Sequence, residues 1–115
     1  MNKEHDIRPW GAYWVLEDTG TYKVKRIEVE PGHQLSYQYH HHRSEVWVII
    51  EGHAEVILEG EVIDCPPGKV VQIPQGARHR IRNAGNEKVV FVEVQLGSYF
   101  GEDDIVRLDD DYERA

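Results

Sequence analysis

The chain has 115 residues, of which 40% are hydrophobic, so it can bury the core of one domain but hardly of two. The formal charge of −8 excludes the extended basic face that nucleic-acid binding requires, although a local cationic pocket for an anionic ligand is compatible with it. Cys65 is the only cysteine, which rules out an intramolecular disulfide and is typical of a reducing compartment. The sequence has neither an apolar leader nor a run that could cross a membrane, so we expect a cytoplasmic protein without a membrane partner.

Short segments of strand character, separated by Gly and Pro turns, account for most of the chain. We expect a single domain over residues 1–115, with a flexible N-terminus at 1–8 and an acidic C-terminal extension at 98–115. The expected strands are, in chain order, Ala12–Glu17, Tyr22–Glu30, the segment carrying Gln38 and His40, Glu45–Glu51, Ala54–Leu58, Glu61–Cys65, Val70–Ile73, His79–Asn83 and Val89–Leu96. Many short strands at regular spacing, without an amphipathic helix, predict an all-β sandwich or barrel.

Candidate metal ligands concentrate around one predicted strand. Residues two apart in a strand share a face, so Gln38, His40 and His42 are expected on one side. Glu45 lies an odd number of residues from His40, so a bend near Arg43–Ser44 must return it to that side.

A second stretch supplies one more imidazole. A tight turn at Pro74–Gly76 places His79 at the start of a strand that can face the first cluster. The expected ligands are therefore the imidazoles of His40 and His79, the carboxylate of Glu45 and the amide oxygen of Gln38. Such a mixed nitrogen and oxygen set binds a divalent metal; zinc is our first choice, and manganese, iron, cobalt and nickel also accept it.

The spacing of these residues resembles the two signature motifs of the cupin superfamily. The first motif, G-x5-H-x-H-x(3,4)-E-x6-G, is matched by Gly32, His40, Glu45 and Gly52, with Gln38 in place of the first His. The second motif, G-x5-P-x-G-x2-H-x3-N, is matched at every position by Gly68, Pro74, Gly76, His79 and Asn83. The resemblance implies the double-stranded β-helix, or jelly-roll, barrel.

A closer resemblance covers nearly the whole chain. The Gln-x-His…Glu…His set is similar to the ligands of metal-dependent phosphomannose isomerases. Six stretches resemble the type II mannose-6-phosphate isomerase domain, namely RPWGAY, YKVKRI, PGHQLSYQYHHHRSEVW, IPQGARHRIRN, EVQLGSYFGEDDIVR and DDYER. The resemblance implies a sugar phosphate as the partner, and interconversion of mannose 6-phosphate and fructose 6-phosphate. In many family members this domain is the C-terminal part of a bifunctional enzyme with a mannose-1-phosphate guanylyltransferase. This sequence carries only the isomerase-like part, so we do not expect the second activity.

Aldose–ketose isomerisation requires a general base and a cationic clamp for the phosphate in addition to the metal. Glu93 and His42 are our candidates for the base. The candidates for the phosphate are Arg43, which the resemblance favours, Lys25, Arg78 and Arg80. Strand parity alone leaves open whether Lys25 or its neighbour faces the interior, and the same is true of Glu93.

Two other functions are compatible with these residues. A non-catalytic module that binds a sugar or sugar nucleotide would show saturable binding without turnover. Two His and one carboxylate are also the ligands of non-heme iron oxygenases, and fold alone does not exclude a dioxygenase.

The predicted strands Tyr22–Glu30 and Val89–Leu96 carry apolar residues on both faces. Burial of both faces of a sheet favours a second copy of the chain over solvent, so we expect a homodimer.

Overall fold

Residues 5–109 are described by the computed structural model, and they form strands and turns throughout. The strands are β1 (His5–Arg8), β2 (Gly11–Asp18), β3 (Tyr22–Val29), β4 (Tyr37–His40), β5 (Arg43–Glu51), β6 (Ala54–Leu58), β7 (Glu61–Cys65), β8 (Val70–Ile73), β9 (His79–Arg82), β10 (Val89–Gly97) and β11 (Ile105–Asp109). Helical structure over this range is limited to the 3-10 turn Glu102–Asp104. Residues 5–109 contain no helix that is long and apolar enough to cross a membrane.

The strands form two antiparallel sheets that enclose the core. One sheet has six strands in the order β1-β2-β3-β10-β5-β8, and the other has five in the order β11-β4-β9-β6-β7. Fully buried aliphatic and aromatic side chains fill the space between them, including Val29, Ile49, Val56, Ile81 and Phe91. The all-β barrel predicted from the spacing of the strands is thereby confirmed.

Two central strands determine where polar side chains enter the interior. Alternate residues of β5 are buried, namely Arg43, Glu45, Trp47 and Ile49, while the residues between them are half exposed. The register with β10 places Phe91 opposite Ile49, Glu93 opposite Trp47, and Gln95 opposite Glu45. Both strands therefore run from an apolar end in the core to a polar end, and directly opposed residues share a face. The polar ends form one wall of the site described below.

The N-terminal prediction is wrong for residues 5–8. This segment was expected to be flexible, but it forms β1 and pairs with β2 from His5, opposite Trp14, to Arg8, opposite Gly11. The His5 and Trp14 rings stack with centroids 4.7 Å apart. Pairing with β2 satisfies backbone groups and covers part of an indole, which the polar composition alone does not indicate. Residues 1–4 lie outside the described residues.

The expected acidic C-terminal extension contains a strand over residues 105–109. It forms β11 along the edge of β4, with Ile105 opposite His40 and Arg107 opposite Gln38. Ile105 and Arg107 share the face that lines the cavity, although neither the polarity nor the burial of β11 alternates. Residues 110–115 lie outside the described residues.

The outer face of the six-stranded sheet is unusually apolar. A patch of half-exposed valines crosses β3, β10 and β5, consisting of Val24, Val46, Val48, Val92 and Val94. Antiparallel sheets usually place polar residues on a face that meets water. The homodimer was expected because an apolar sheet face favours burial, and this patch is such a face. The dimer itself stays a prediction.

A candidate metal centre in the barrel

A cavity opens between the two sheets at the polar ends of β5 and β10. It is narrow, with about 70 Å³ open to the centres of water-sized molecules. Its polar and charged lining residues are Arg8, Lys25, Gln38, His40, Arg43, Glu45, His79, Arg80, Glu93, Gln95 and Arg107. Trp10, Tyr13 and Trp47 contribute the aromatic part of the wall.

Three side chains meet in this cavity with the geometry of a metal site. His40 ends β4, Glu45 lies in β5 and His79 begins β9, and each is almost fully buried. One ligand atom from each lies within 4.8 Å of the others. Nε2 of His40 is 3.1 Å from Oε2 of Glu45, and Nε2 of His79 is 4.0 Å from Oε1. The structure brings these three predicted residues together as a candidate metal cluster, and their binding of a metal stays a prediction.

Neighbouring groups hold two of the three side chains, His79 and Glu45, in position. Nδ1–H of His79 donates to the carbonyl of Ala77 at 2.9 Å, which leaves Nε2 as the nitrogen facing the cluster. The indole Nε1–H of Trp47 donates to Oε1 of Glu45 at 2.8 Å, and Nε–H of Arg43 donates to Oε2 at 2.9 Å. Two imidazoles and a carboxylate, of which His79 and Glu45 are oriented by further hydrogen bonds, fit a divalent cation of the kind that takes nitrogen and oxygen ligands.

The ionisation of the cluster also suits a cation. Burial opposes the charge of Glu45, but the hydrogen bond with His40 and the nearby charges of His79 and Arg43 outweigh burial and hold its pKa well below the usual value. Burial lowers the pKa of His79 below its usual value, which favours the neutral ring that can ligate a metal. Glu45 therefore stays ionised, and His79 loses its proton more readily than a free imidazole.

Gln38 lies where the fourth ligand was predicted. It is the direct cross-strand partner of His79, so the two side chains share the face that lines the cavity. Its amide nitrogen donates to the carbonyl of Ser36 at 3.4 Å, which leaves the amide oxygen as the atom to offer a metal. Ligation by Gln38 stays a prediction.

The two orientations that strand parity left open are determined by the register. Lys25 and Glu93 are direct partners on β3 and β10, and both are buried and line the cavity. The Lys25 ammonium lies 4.6 Å from the centroid of the Tyr13 ring. Burial, reinforced by the negative charge of Glu45, raises the pKa of Glu93 to about 8. A carboxyl group with a pKa near neutrality can both accept and return a proton.

The cationic side chains of the cavity differ partly from the predicted set. Arg43 is buried beside the cluster, with Nη2 3.3 Å from Nε2 of His40. Arg80 lines the cavity but also donates to the Asp109 carboxylate at 3.2 Å, so it ties β9 to β11. Arg78 is exposed and is absent from the lining.

Sequence reasoning missed two cationic residues, Arg8 and Arg107. Both lie on the edge strands that were mistaken for flexible or acidic termini. The signal that could have found Arg107 is its period of two with Ile105, which lines the same cavity.

His42 does not reach the cavity, contrary to its prediction as a site residue. The break between β4 and β5 falls at His41–His42 rather than at Arg43–Ser44, so strand alternation stops at His40. The His42 side chain is 57% exposed, and its Nδ1 lies 2.8 Å from Oδ1 of Asp104. It is therefore part of a surface contact with the turn before β11.

We expect Asp104→Ala to destabilise the protein by roughly 1–3 kcal/mol, the usual loss when buried hydrogen bonds to a charged group are removed. Asp104 is buried and accepts from the backbone N–H groups of His41 and His42 at 3.2 and 3.0 Å. Burial opposes its ionisation, but the hydrogen bonds from His42 and His41 lower its pKa below the ordinary value of 3.8.

Because the folded-state pKa is depressed, the contribution of Asp104 is complete above the ordinary value and is lost as pH falls through the folded value. Urea unfolding across this acid range checks the prediction, with Asp103→Ala, an exposed neighbour, as the control. Equal stability of Asp104→Ala and wild type at neutral pH would contradict it.

The two facing sheets, with a His–Glu–His cluster at one end of the barrel, define a cupin protein, the double-stranded β-helix class. A solved structure from Klebsiella pneumoniae subsp. pneumoniae, described as an uncharacterized conserved protein with a double-stranded β-helix domain, matches with a TM-score of 0.73 and 25% identity. The match covers 82% of this chain and 80% of that one. The predicted fold class is confirmed by this likeness.

The family model described as mannose-6-phosphate isomerase C-terminal matches residues 1–110, and the chain belongs to this family. Xanthan biosynthesis protein XanB of Xanthomonas campestris pv. campestris is 48% identical over 108 residues, which are 94% of this chain and 23% of that protein. Mannose-1-phosphate guanylyltransferase ManC of Salmonella typhimurium is 46% identical over 94% of this chain and 22% of its own length. The chain thus spans less than a quarter of these curated relatives, and the resemblance inferred from the motifs is confirmed.

Proposed function

We propose that this protein is a metal-dependent aldose–ketose isomerase that interconverts mannose 6-phosphate and fructose 6-phosphate. The observation that carries the proposal is the buried carboxyl of Glu93, which shares one cavity with the His40, Glu45 and His79 cluster. Isomerisation of this type moves a proton between two neighbouring carbons, and the wall of the cavity supplies one group to do so. Membership of the mannose-6-phosphate isomerase C-terminal family supports the choice of substrate.

A divalent ion held by His40, Glu45, His79 and Gln38 would supply Lewis-acid polarisation of the sugar carbonyl. Zinc is the metal we propose first, because its preferred ligands match this set. Arg43 fixes the orientation of Glu45 by donating to its Oε2, and its positive charge beside the cluster suits the negative charge that develops on the sugar oxygens during proton abstraction.

Glu93 is the group we assign to proton transfer. It removes the proton from C2, next to the carbonyl, and returns it to C1, while the proton of the C2 hydroxyl passes to the oxygen at C1. One carboxyl therefore serves both half-reactions at carbon. Lys25, its direct strand partner, lies beside it and favours its ionised form. Burial and the Glu45 charge act in the opposite direction, and the balance leaves Glu93 able to exchange a proton near neutral pH.

The remaining cations are suited to the phosphate. Arg8 and Arg107 line the cavity from the edge strands β1 and β11, away from the cluster-bound Arg43. Guanidinium groups pair with phosphate oxygens in a bidentate geometry, and this holds the sugar end in register. A chain with a net charge of −8 that places several cations in one cavity has a local field that favours an anionic substrate.

The test is a coupled assay with the metal-free protein reconstituted with zinc, manganese, iron, cobalt or nickel in turn. We expect conversion of mannose 6-phosphate to fructose 6-phosphate that a chelator abolishes and one of these metals restores. Binding of mannose 6-phosphate without turnover would instead make the protein a sugar-phosphate-binding module. Neither binding nor turnover with any hexose 6-phosphate would refute the proposal.

A dioxygenase is the second candidate, because two His and one carboxylate are the ligands of non-heme iron oxygenases. Dioxygen consumption by the iron-loaded protein, in the absence of sugar-phosphate turnover, would favour it over the isomerase. The isomerase needs no redox change at the metal, so its activity should persist under nitrogen.

We further propose a cytoplasmic homodimer in which the outer valine patch is covered by a second copy. The six-stranded sheet is about 29 Å wide at ~4.8 Å per strand, so its face offers an area close to the ~800 Å² per partner of a stable interface. Light scattering at micromolar concentration should give twice the 13.4 kDa chain mass. A monomeric mass, or an unchanged dimer in the Val48→Lys variant, would contradict this use of the patch.

A further inference from the structure

One buried polar residue in the cavity wall has no role in the scheme above. Gln95 is completely buried on β10 and lines the cavity two residues beyond Glu93, on the same face. Its amide nitrogen donates to Oε1 of Glu93. Its amide oxygen is buried and has no hydrogen-bond partner among residues 5–109.

Gln95 lies beside both the metal cluster and Glu93. It is the direct cross-strand partner of Glu45, so their side chains project from adjacent strands into the same space. A ligand that contacts both Glu45 and Glu93 therefore lies beside the Gln95 amide. Buried acceptors without a partner are rare in proteins, and one aimed into a binding cavity is satisfied when a ligand supplies a donor.

We propose that the amide oxygen of Gln95 accepts a hydrogen bond from the C3 hydroxyl of the sugar phosphate, while its amide nitrogen holds Glu93 in place. This inference rests on the proposed function. The oxygens at C1 and C2 alternate between carbonyl and hydroxyl during isomerisation, so neither is a donor in both substrate and product. The C3 hydroxyl is the nearest group that remains a donor throughout, and a fixed acceptor suits it in both directions.

The consequence is a specificity for the hydroxyl at C3. A site built to bond a hydroxyl rejects an analogue that lacks it, because the protein acceptor is then left buried and unpaired. A residue that only positioned Glu93 would slow all substrates equally. The ratio of kcat/KM for the substrate to kcat/KM for the deoxy analogue therefore distinguishes a hydroxyl contact from mere positioning of Glu93, whereas a single rate does not.

The test compares mannose 6-phosphate with its 3-deoxy analogue in the metal-loaded wild type and in Gln95→Met, which keeps side-chain length but removes both polar atoms. We expect the wild type to favour mannose 6-phosphate by roughly 10-fold or more in kcat/KM, and the variant to reduce this preference to within about 3-fold. Gln72→Met, on the exposed side of β8, is the matched control and should keep the wild-type ratio. An unchanged ratio in Gln95→Met would overturn the proposal, since Gln95 would then act only on Glu93.

Gln95→Glu provides a second variant in case the first does not fold. It retains an acceptor for the C3 hydroxyl but loses the donor to Glu93, so we expect a lower kcat with the wild-type preference kept. Loss of the preference in this variant would also overturn the proposal.

Calorimetric binding of both compounds separates this inference from the isomerase proposal. If the wild type binds mannose 6-phosphate without turnover, the isomerase proposal fails, and the ratio of the two dissociation constants in wild type and Gln95→Met decides the role of Gln95. If the wild type turns over both compounds equally, the isomerase stands and the hydroxyl contact is refuted. If neither compound binds, both proposals fail.

Discussion

Replacing His79 with alanine should remove the bound metal and the isomerase activity together. His79 supplies one of only two imidazoles in the cluster, and its Nε2 is oriented toward Glu45 by the bond from Nδ1–H to Ala77. Loss of a residue that merely orients a ligand costs ~10–100-fold in metal affinity, so loss of the ligand itself should exceed that range. The measurement is the metal-to-protein ratio by elemental analysis after dialysis, alongside kcat in the coupled assay. His40→Ala should behave in the same way.

His41→Ala is the matched control for both variants. His41 is adjacent to His40 but exposed, so its removal should leave metal content and rate near wild type. Retention of stoichiometric metal by His79→Ala would disprove the assignment of this cluster. If His79→Ala lost its metal but kept its activity, the cluster would still be a metal site, but it would have no catalytic role.

Glu93→Gln should lower kcat by roughly 10²–10⁴-fold while metal content stays unchanged, because that is the usual contribution of a positioned acid–base group. The substitution keeps the size of the buried side chain and removes only its ability to take up and release a proton. Exchange of the C2 proton of mannose 6-phosphate with deuterated solvent, followed by NMR, reports the same step without the coupling enzymes and should fall in parallel with kcat.

The control for Glu93→Gln is Glu61→Gln, on an exposed position of β7. A rate within a few-fold of wild type in Glu93→Gln would show that the proton is moved by another group. A parallel loss of metal would mean instead that Glu93 supports the cluster, since its carboxyl interacts directly with that of Glu45.

The metal ligands could be predicted because short-range rules govern them. His40 lies at the end of an alternating strand and His79 directly after a Pro-Gly turn, so local periodicity and turn chemistry place both. Predicting the direction of Glu45 required only a break in the preceding strand. The exact place of that break, at His41–His42, depends on the hydrogen bonds that Asp104 accepts there. Those hydrogen bonds join residues far apart in sequence, which a local pattern does not reveal. For this reason His42 was predicted to face the cavity when it lies on the surface.

The remaining site residues depend on pairing between distant strands. Lys25 and Glu93 lie on strands with apolar residues on both faces, so periodicity cannot distinguish inside from outside, and only the β3–β10 register determines their direction. Arg8 and Arg107 lie on the edge strands β1 and β11, whose sequences show no regular alternation of apolar and polar residues. Such segments form strands because a neighbour offers hydrogen bonds, and a single sequence does not reveal that neighbour.

The cavity wall begins at Arg8 in the first strand and is completed at Arg107 in the last. A chain that ends at Gly97 contains all three cluster residues but lacks β11 and its Arg107, so it separates the metal cluster from the complete cavity wall. Any shortened version designed for expression would need to keep residues 98–109 for the same reason.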